Sequence, residues 1–210
     1  MHVVSVNVGR PREVECRGRT VRTSIWKDPV TGPVRVATLN IEGDAQSDLK
    51  VHGGPEKAVY AYPSEHYDYW RGELDLDSLP WGAFGENLTT AGVTESEIGI
   101  GDRIRIGSVE LMVTQPRLPC FKLGIRFDRE DMIKRFMNSG RSGFYLAVVR
   151  EGVLTAGDAL EIVGRDLHGV TVADVARTED DSFDQRLLKR IIAVPALPDS
   201  WKRHLRSRLK

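Results

Sequence analysis

Apolar positions recur with a period of two through the first part of the chain. Val4, Val6 and Val8 alternate with Ser5 and Asn7, and similar β-branched runs fill 21–26, 34–39, 109–114 and 144–150. Two segments echo one another. Ile100-Gly101-Asp102-Arg103-Ile104-Arg105-Ile106 and Ala156-Gly157-Asp158-Ala159-Leu160-Glu161-Ile162 both read as a Gly-Asp turn feeding an alternating strand. Many short strands with glycine turns predict a mostly β fold, a barrel or sandwich rather than a parallel α/β sheet. Two helices are predicted inside it. One spans 63–70, with aromatics on one side. The other spans 128–139, apolar at Met132, Ile133, Phe136 and Met137, with Asp128 as its N-cap and Gly140 at its end.

The period changes near residue 165, which predicts a β domain over 1–164 and a small three-helix unit over 165–210. Thr171-Val172-Ala173-Asp174 and Ser182-Phe183-Asp184-Gln185 have the form of capping boxes, and Trp201, Leu205 and Leu209 place an apolar stripe on a helix starting near Pro198. Three short helices bury too little to fold alone, so they are expected to pack together or on the barrel.

Composition narrows the class. The 210 residues are 40% hydrophobic and 29% charged with net charge zero, which gives no global pull toward nucleic acid or membrane. From Phe183 onward eight Lys and Arg face two Asp, so this tail carries +6 and the remainder −6. A solvated helix face accounts for that better than a nucleic-acid site, because Trp201 is the only aromatic after Phe183. Two cysteines build no disulfide framework, the chain opens on a strand pattern rather than a basic leader, and no apolar run nears the roughly 20 residues of a membrane span. The expectation is a cytoplasmic protein.

Candidate chemistry centres on Gln115-Pro116-Arg117-Leu118-Pro119-Cys120. The prolines stiffen a loop that presents Cys120 at a defined place, and a cation such as Arg117 nearby favours the thiolate. A buried, inert cysteine is the alternative, and the loop alone leaves both open. Three further clusters precede or follow it. Gly43-Asp44 … Asp48 … His52-Gly53-Gly54-Pro55-Glu56-Lys57 offers backbone N–H groups, His52 and Lys57 to an anion, though it lacks a Walker ending. Phe84-Gly85-Glu86-Asn87-Leu88-Thr89 is a compact polar turn. Asn138-Ser139-Gly140-Arg141-Ser142-Gly143 joins a helix end to a strand and offers Arg141. Each, taken singly, reads as a loop.

Their order along the chain is far more specific. His52-Gly53-Gly54 with Lys57-Ala58-Val59, then Gly82-Ala83-Phe84-Gly85-Glu86-Asn87-Leu88, Gly101-Asp102 and Pro116-Arg117-Leu118-Pro119-Cys120 resemble the MOSC family, domains similar to the C-terminal part of molybdenum cofactor sulfurase. Val172-Ala173-Asp174-Val175 and Leu197-Pro198-Asp199-Ser200-Trp201 resemble the three-helix appendage of its YiiM-like branch.

The resemblance implies a MOSC β-barrel, similar to the pyruvate-kinase β-barrel, with inserted helices. It implies the molybdenum cofactor (molybdopterin) as ligand, with Cys120 as the protein thiolate on molybdenum and as the catalytic residue. Since the pterin ends in a phosphate, His52, Lys57, Arg117 and Arg141 are the expected cationic partners, with Asn87 and the Gly53 and Gly54 amides as neutral ones; Asn87 and Glu86 could instead only brace the loop, and Glu86 is a poor neighbour for a phosphate. The activity implied is oxidoreductase: an N-hydroxylated substrate, such as a hydroxylamino purine, reduced to the amine, a detoxification of N-hydroxylated bases. No iron–sulfur or dinucleotide fingerprint is present, so a separate reductase, a flavoprotein, is expected as electron donor. A carrier or persulfide relay acting through Cys120 is the rival reading. Pyridoxal phosphate is not expected on this chain, His2, His66, His168 and His204 have no ligand spacing, and homo-oligomerisation is left open.

Overall fold

The computed structural model describes residues 1–45, 53–179 and 184–209. Thirteen strands are defined among them: β1 His2–Val8, β2 Arg12–Cys16, β3 Arg19–Thr23, β4 Asp28–Val30, β5 Val34–Ala37, β6 Asn40–Ile41, β7 Val59–Pro63, β8 Leu88–Ala91, β9 Arg103–Ile106, β10 Val109–Pro116, β11 Phe144–Arg150, β12 Gly152–Leu154 and β13 Leu160–Gly164. Helices are α1 Tyr67–Leu74, α2 Phe121–Phe127, α3 Met132–Ser139, α4 Val172–Ala176, α5 Gln185–Ala193 and α6 Asp199–Arg206.

The main sheet runs β13-β9-β10-β11-β7-β8-β1-β4. It closes on itself: His2 bridges Ala159, the Val3 N–H donates to the Asp158 carbonyl, and the Leu160 N–H to the Met1 carbonyl. The start of β1 thus meets the start of β13, and the expected barrel is formed. Most neighbours are antiparallel, whereas β7 and β8 run parallel. The two echoing Gly-Asp segments become β9 and β13, which pair directly with Leu160 opposite Ile106.

Val3, Val6, Ile104, Ile106, Leu111, Val113 and Leu146 fill the barrel, and Val172, Val175, Leu188, Ile191, Trp201 and Leu205 from the C-terminal helices join the same apolar cluster. Those helices pack on the barrel rather than only on each other. A second, aromatic cluster, with Tyr62, Tyr67, Trp70, Phe84 and Phe136, lies under α1 and α3.

Several local readings shift. The strand expected over 21–26 ends at Thr23, where the chain leaves its hairpin with β2. Asp128 does not cap α3. It closes α2 in the left-handed conformation (φ 51°), and Asp131 precedes α3 without a side-chain cap. Gly140 ends α3 at φ 65° as its sequence suggested. The Thr171–Asp174 capping box has both reciprocal bonds. Ser182 and Phe183 of the second box lie outside the described residues, and α5 is capped by Asp184, whose carboxylate accepts from the Arg186 N–H.

Candidate functional site

Strand β10 carries the chain to the site. Pro116 still pairs with Phe144, and the segment then leaves the barrel wall as Arg117-Leu118-Pro119-Cys120. Cys120 occupies the position just before α2 in an extended conformation (φ −121°, ψ 171°), half-buried and free of any disulfide. It opens on two clefts. One is lined by Ser24, Lys27, Asp44, Lys57, Tyr60, Asn87, Arg117, Lys122 and Tyr145. The other, about 360 Å³, lies between the Cys120 loop and α6.

The first cleft gathers four cations from three stretches of chain. Arg117 is buried, donates to the Phe84 carbonyl and lies over the Tyr60 ring at 4.8 Å. Desolvation opposes its charge, but the Tyr60 and Tyr145 hydroxyls and the Cys120 sulfur outweigh that and hold its pKa above the ordinary guanidinium value. Burial pushes the Tyr60 and Tyr145 phenols up, and the Tyr60 hydroxyl donates to the Ser142 carbonyl at 2.8 Å. Lys57 follows a tight turn begun by Gly54 (φ 102°), and partial burial lowers its pKa. Lys122 stands on the first turn of α2.

Lys27 is paired at 2.5 Å with Asp44, and both side chains are buried. Asp44 also accepts from the Gly9 N–H at 2.7 Å and from Asn87 Nδ2 at 2.9 Å. Asn87 in turn accepts the Tyr60 N–H at 3.1 Å, so one carboxylate ties β1, β7 and the 82–88 turn together around the cleft floor. Gly82 permits the close pass over Lys27. Its φ is 82°, and a Cβ there would sit 2.5 Å from the Lys27 carbonyl oxygen.

Glu86 braces the turn from behind. Its carboxylate accepts from the Tyr67 hydroxyl, the Gly82 N–H (2.9 Å), the Phe84 N–H (3.1 Å) and the Thr89 hydroxyl (3.0 Å). Burial raises its pKa in spite of these donors. Glu86→Gln turns an acceptor-only group into one whose NH2 meets donors. We expect it to destabilise the fold by about 1–3 kcal/mol in urea denaturation; an unchanged midpoint would remove Glu86 from this bracing role.

Of the residues singled out in the sequence, Lys57, Asn87, Arg117 and Cys120 are brought together. Gly54 contributes through the turn that presents Lys57, with Gly53 just ahead of it. His52 and Asp48 lie outside the described residues. Arg141 is not part of the Cys120 lining. It stacks on the Tyr69 ring at 3.8 Å, donates to the Ser139 carbonyl at 2.9 Å and faces a different cleft beside Arg177. Lys27 and Lys122 were missed. Lys122 had a signal, two residues past the cysteine; Lys27 had none, because only the tertiary fold brings it near.

Among the described residues no three His, Cys, Asp or Glu side chains converge as a metal cage. A metal at Cys120 would take the sulfur of that residue as a ligand. The residues fit a metal-bearing cofactor: a cysteine sulfur for a soft metal and four cations for an anionic tail.

Residues 48–161 match the MOSC domain, and residues 180–210 match the YiiM-like, 3-alpha helix domain. Protein YiiM of Escherichia coli (strain K12) is 39% identical over 191 residues, 89% of this chain and 84% of that one. A protein of Gibberella moniliformis described as a reductase is 34% identical over 178 residues, 83% of this chain but 31% of its own length. The crystal structure of YiiM from Geobacillus stearothermophilus superposes with a TM-score of 0.83 at 35% identity, covering 100% of this chain and 99% of that one. The chain belongs to the MOSC domain family, in the branch that carries a YiiM-like 3-alpha helix domain.

Proposed function

We propose that this protein binds the molybdenum cofactor at Cys120 and reduces N-hydroxylated compounds, such as hydroxylamino purines, to amines. The observation that carries the reading is the half-buried thiol at the mouth of a cleft whose lining holds Lys27, Lys57, Arg117 and Lys122. The family supports the cofactor class, and the fungal relative described as a reductase supports the reaction class.

When bound, the cofactor supplies two-electron chemistry at a sulfur-ligated metal. The chain does the rest. Cys120 anchors the metal, Lys57, Lys122 and Arg117 neutralise the anionic tail, and Tyr60 and Tyr145 shield the ring from water. Lys27 is held by Asp44 and offers its remaining N–H groups to the same anion. The balance is R–NHOH plus two electrons and two protons giving R–NH2 and water. Electrons come from a separate reductase, a flavoprotein, since no dinucleotide fingerprint appears in the sequence.

The test is metal and pterin analysis of protein expressed in a cofactor-producing host, followed by turnover of hydroxylaminopurine with a chemical reductant. Near-stoichiometric molybdenum and pterin with amine formation is expected. An empty protein after reconstitution overturns the reading. A loaded protein that gives no amine, but releases molybdopterin to an apo-enzyme, would be a carrier instead.

A further inference from the structure

The cleft of about 360 Å³ beside Cys120 has two walls of different origin. Lys57, Leu118, Cys120 and Tyr145 come from the barrel and its loop; Ser200 and His204 come from α6. Helix α6 is amphipathic by spacing. Trp201 and Leu205 are buried in the barrel's apolar cluster, and Ser200 and His204, four residues apart, share the other face. Its position is fixed where it matters. Trp201 Nε1 donates to Gln115 Oε1 at 2.9 Å, and Gln115 lies on β10 five residues before the thiol. The neighbouring Thr114 hydroxyl donates to the Glu56 carbonyl at 2.7 Å, next to Lys57. One short stretch of β10 thus sets the Cys120 loop, Lys57 and α6 relative to each other.

We propose that α6 is the substrate-side wall of the Cys120 site and that His204 is the general acid for the oxygen leaving the N–O bond. The proposal rests on the reductase reading above. Cleaving R–NHOH to R–NH2 and water consumes two electrons, supplied by a reductant, and two protons, and the departing oxygen leaves far more readily as water than as hydroxide. Among the cleft's lining residues, four side chains can titrate: Lys57, Cys120, Tyr145 and His204. Burial makes the Tyr145 phenol a weaker acid than usual. Cys120 is committed to the metal and Lys57 to the anionic tail. An imidazole can both carry and release a proton, and His204 is exposed, so solvent can recharge it after each cycle. Lys57 stands across the cleft; the helix of His204 carries Asp199 as well as Lys202, Arg203 and Arg206, with Arg208 just beyond. Leu118, 46% exposed, lines this cleft and the cation-rich one, and stands where substrate would pass from one to the other.

The experiment uses the cofactor-loaded full chain with reduced methyl viologen as electron donor, so that no partner protein is needed. The parent's kcat is expected to fall as pH rises. His204→Gln should lower kcat by about 100-fold, remove that limb of the profile and leave molybdenum content and KM nearly unchanged. Ser200→Trp tests the wall independently of turnover. By equilibrium dialysis it should weaken binding of the product amine purine at least tenfold. A His204→Gln protein with the parent's kcat and pH profile overturns the acid role, and unchanged purine binding in Ser200→Trp overturns the wall. A loaded parent that makes no amine sinks the reductase reading and this inference with it.

Discussion

Replacing Cys120 with alanine is expected to empty the site of molybdenum and abolish amine formation while leaving the fold almost as stable as before. The two effects separate because the sulfur does little for the loop. Pro116 is held in the β10–β11 pairing and Arg117 by the Phe84 carbonyl, while the Cys120 carbonyl accepts the Leu123 N–H at 2.9 Å through the backbone alone. Trimming one half-buried sulfur costs about 1 kcal/mol, which for a chain of this size shifts Tm by about 2–4 °C. Outer-shell partners of a bound metal are already worth about 10–100-fold in affinity, so losing a proposed direct ligand should exceed that. Cys16→Ala is the control. That thiol sits on β2 in a separate cleft with Phe121, Ile125 and Asp128, and its removal should leave metal content untouched. A Cys120→Ala protein that keeps its metal and loses its thermal stability would make Cys120 a structural cysteine.

The barrel was legible where strands alternate. β9 keeps a period of two because one face meets the core and the other water; β1 does not, since a register shift between Val3 and Ser5 puts Val3 and Val6 in the core and leaves Val4 half-buried. β7 could not be read that way. All five of its residues, Val59 to Pro63, are buried, since one face meets the barrel core and the other the aromatic cluster. α2 escaped notice because it is only seven residues long, carries Gly124 and ends on an aspartate that looks like the cap of the next helix. The site divides in the same way. Cys120, Arg117 and Lys57 announce themselves by stiff loops and glycine turns close in sequence. Arg141 belongs to an equally suggestive loop, yet its guanidinium is already engaged by Tyr69 and the Ser139 carbonyl. Lys27 reaches the cleft only because β1, the 82–88 turn and Asp44 enclose it, and no local pattern encodes that.

Asp44→Asn should be the most destabilising single change in the site, by about 3–5 kcal/mol, with Tm falling on the order of 10 °C. Lys27 and Asp44 are both almost wholly out of solvent, with 7% and 1% of their side chains exposed. Burial lowers the Lys27 pKa, and Asp44 is the main group raising it back. Removing the carboxylate charge leaves an ammonium without its counter-ion, and the lysine answers by giving up its proton at still lower pH. The sign of the pH effect follows. A base whose folded pKa lies below its unfolded value of 10.5 binds more protons unfolded within that window, so stability rises with pH there. The variant's window reaches further down, so its deficit relative to the parent should shrink as pH rises from the variant's Lys27 pKa toward the parent's; pH 7 and pH 9 are the two conditions to compare. Lys27→Met with Asp44→Asn should recover most of the stability, because a buried ion pair is often no better than apolar packing. The double variant should still load less cofactor, having lost one of four cations from the lining. Urea titrations of the three variants at both pH values decide it. An Asp44→Asn deficit that stays constant with pH would mean that Lys27 remains charged and that water reaches the cleft floor.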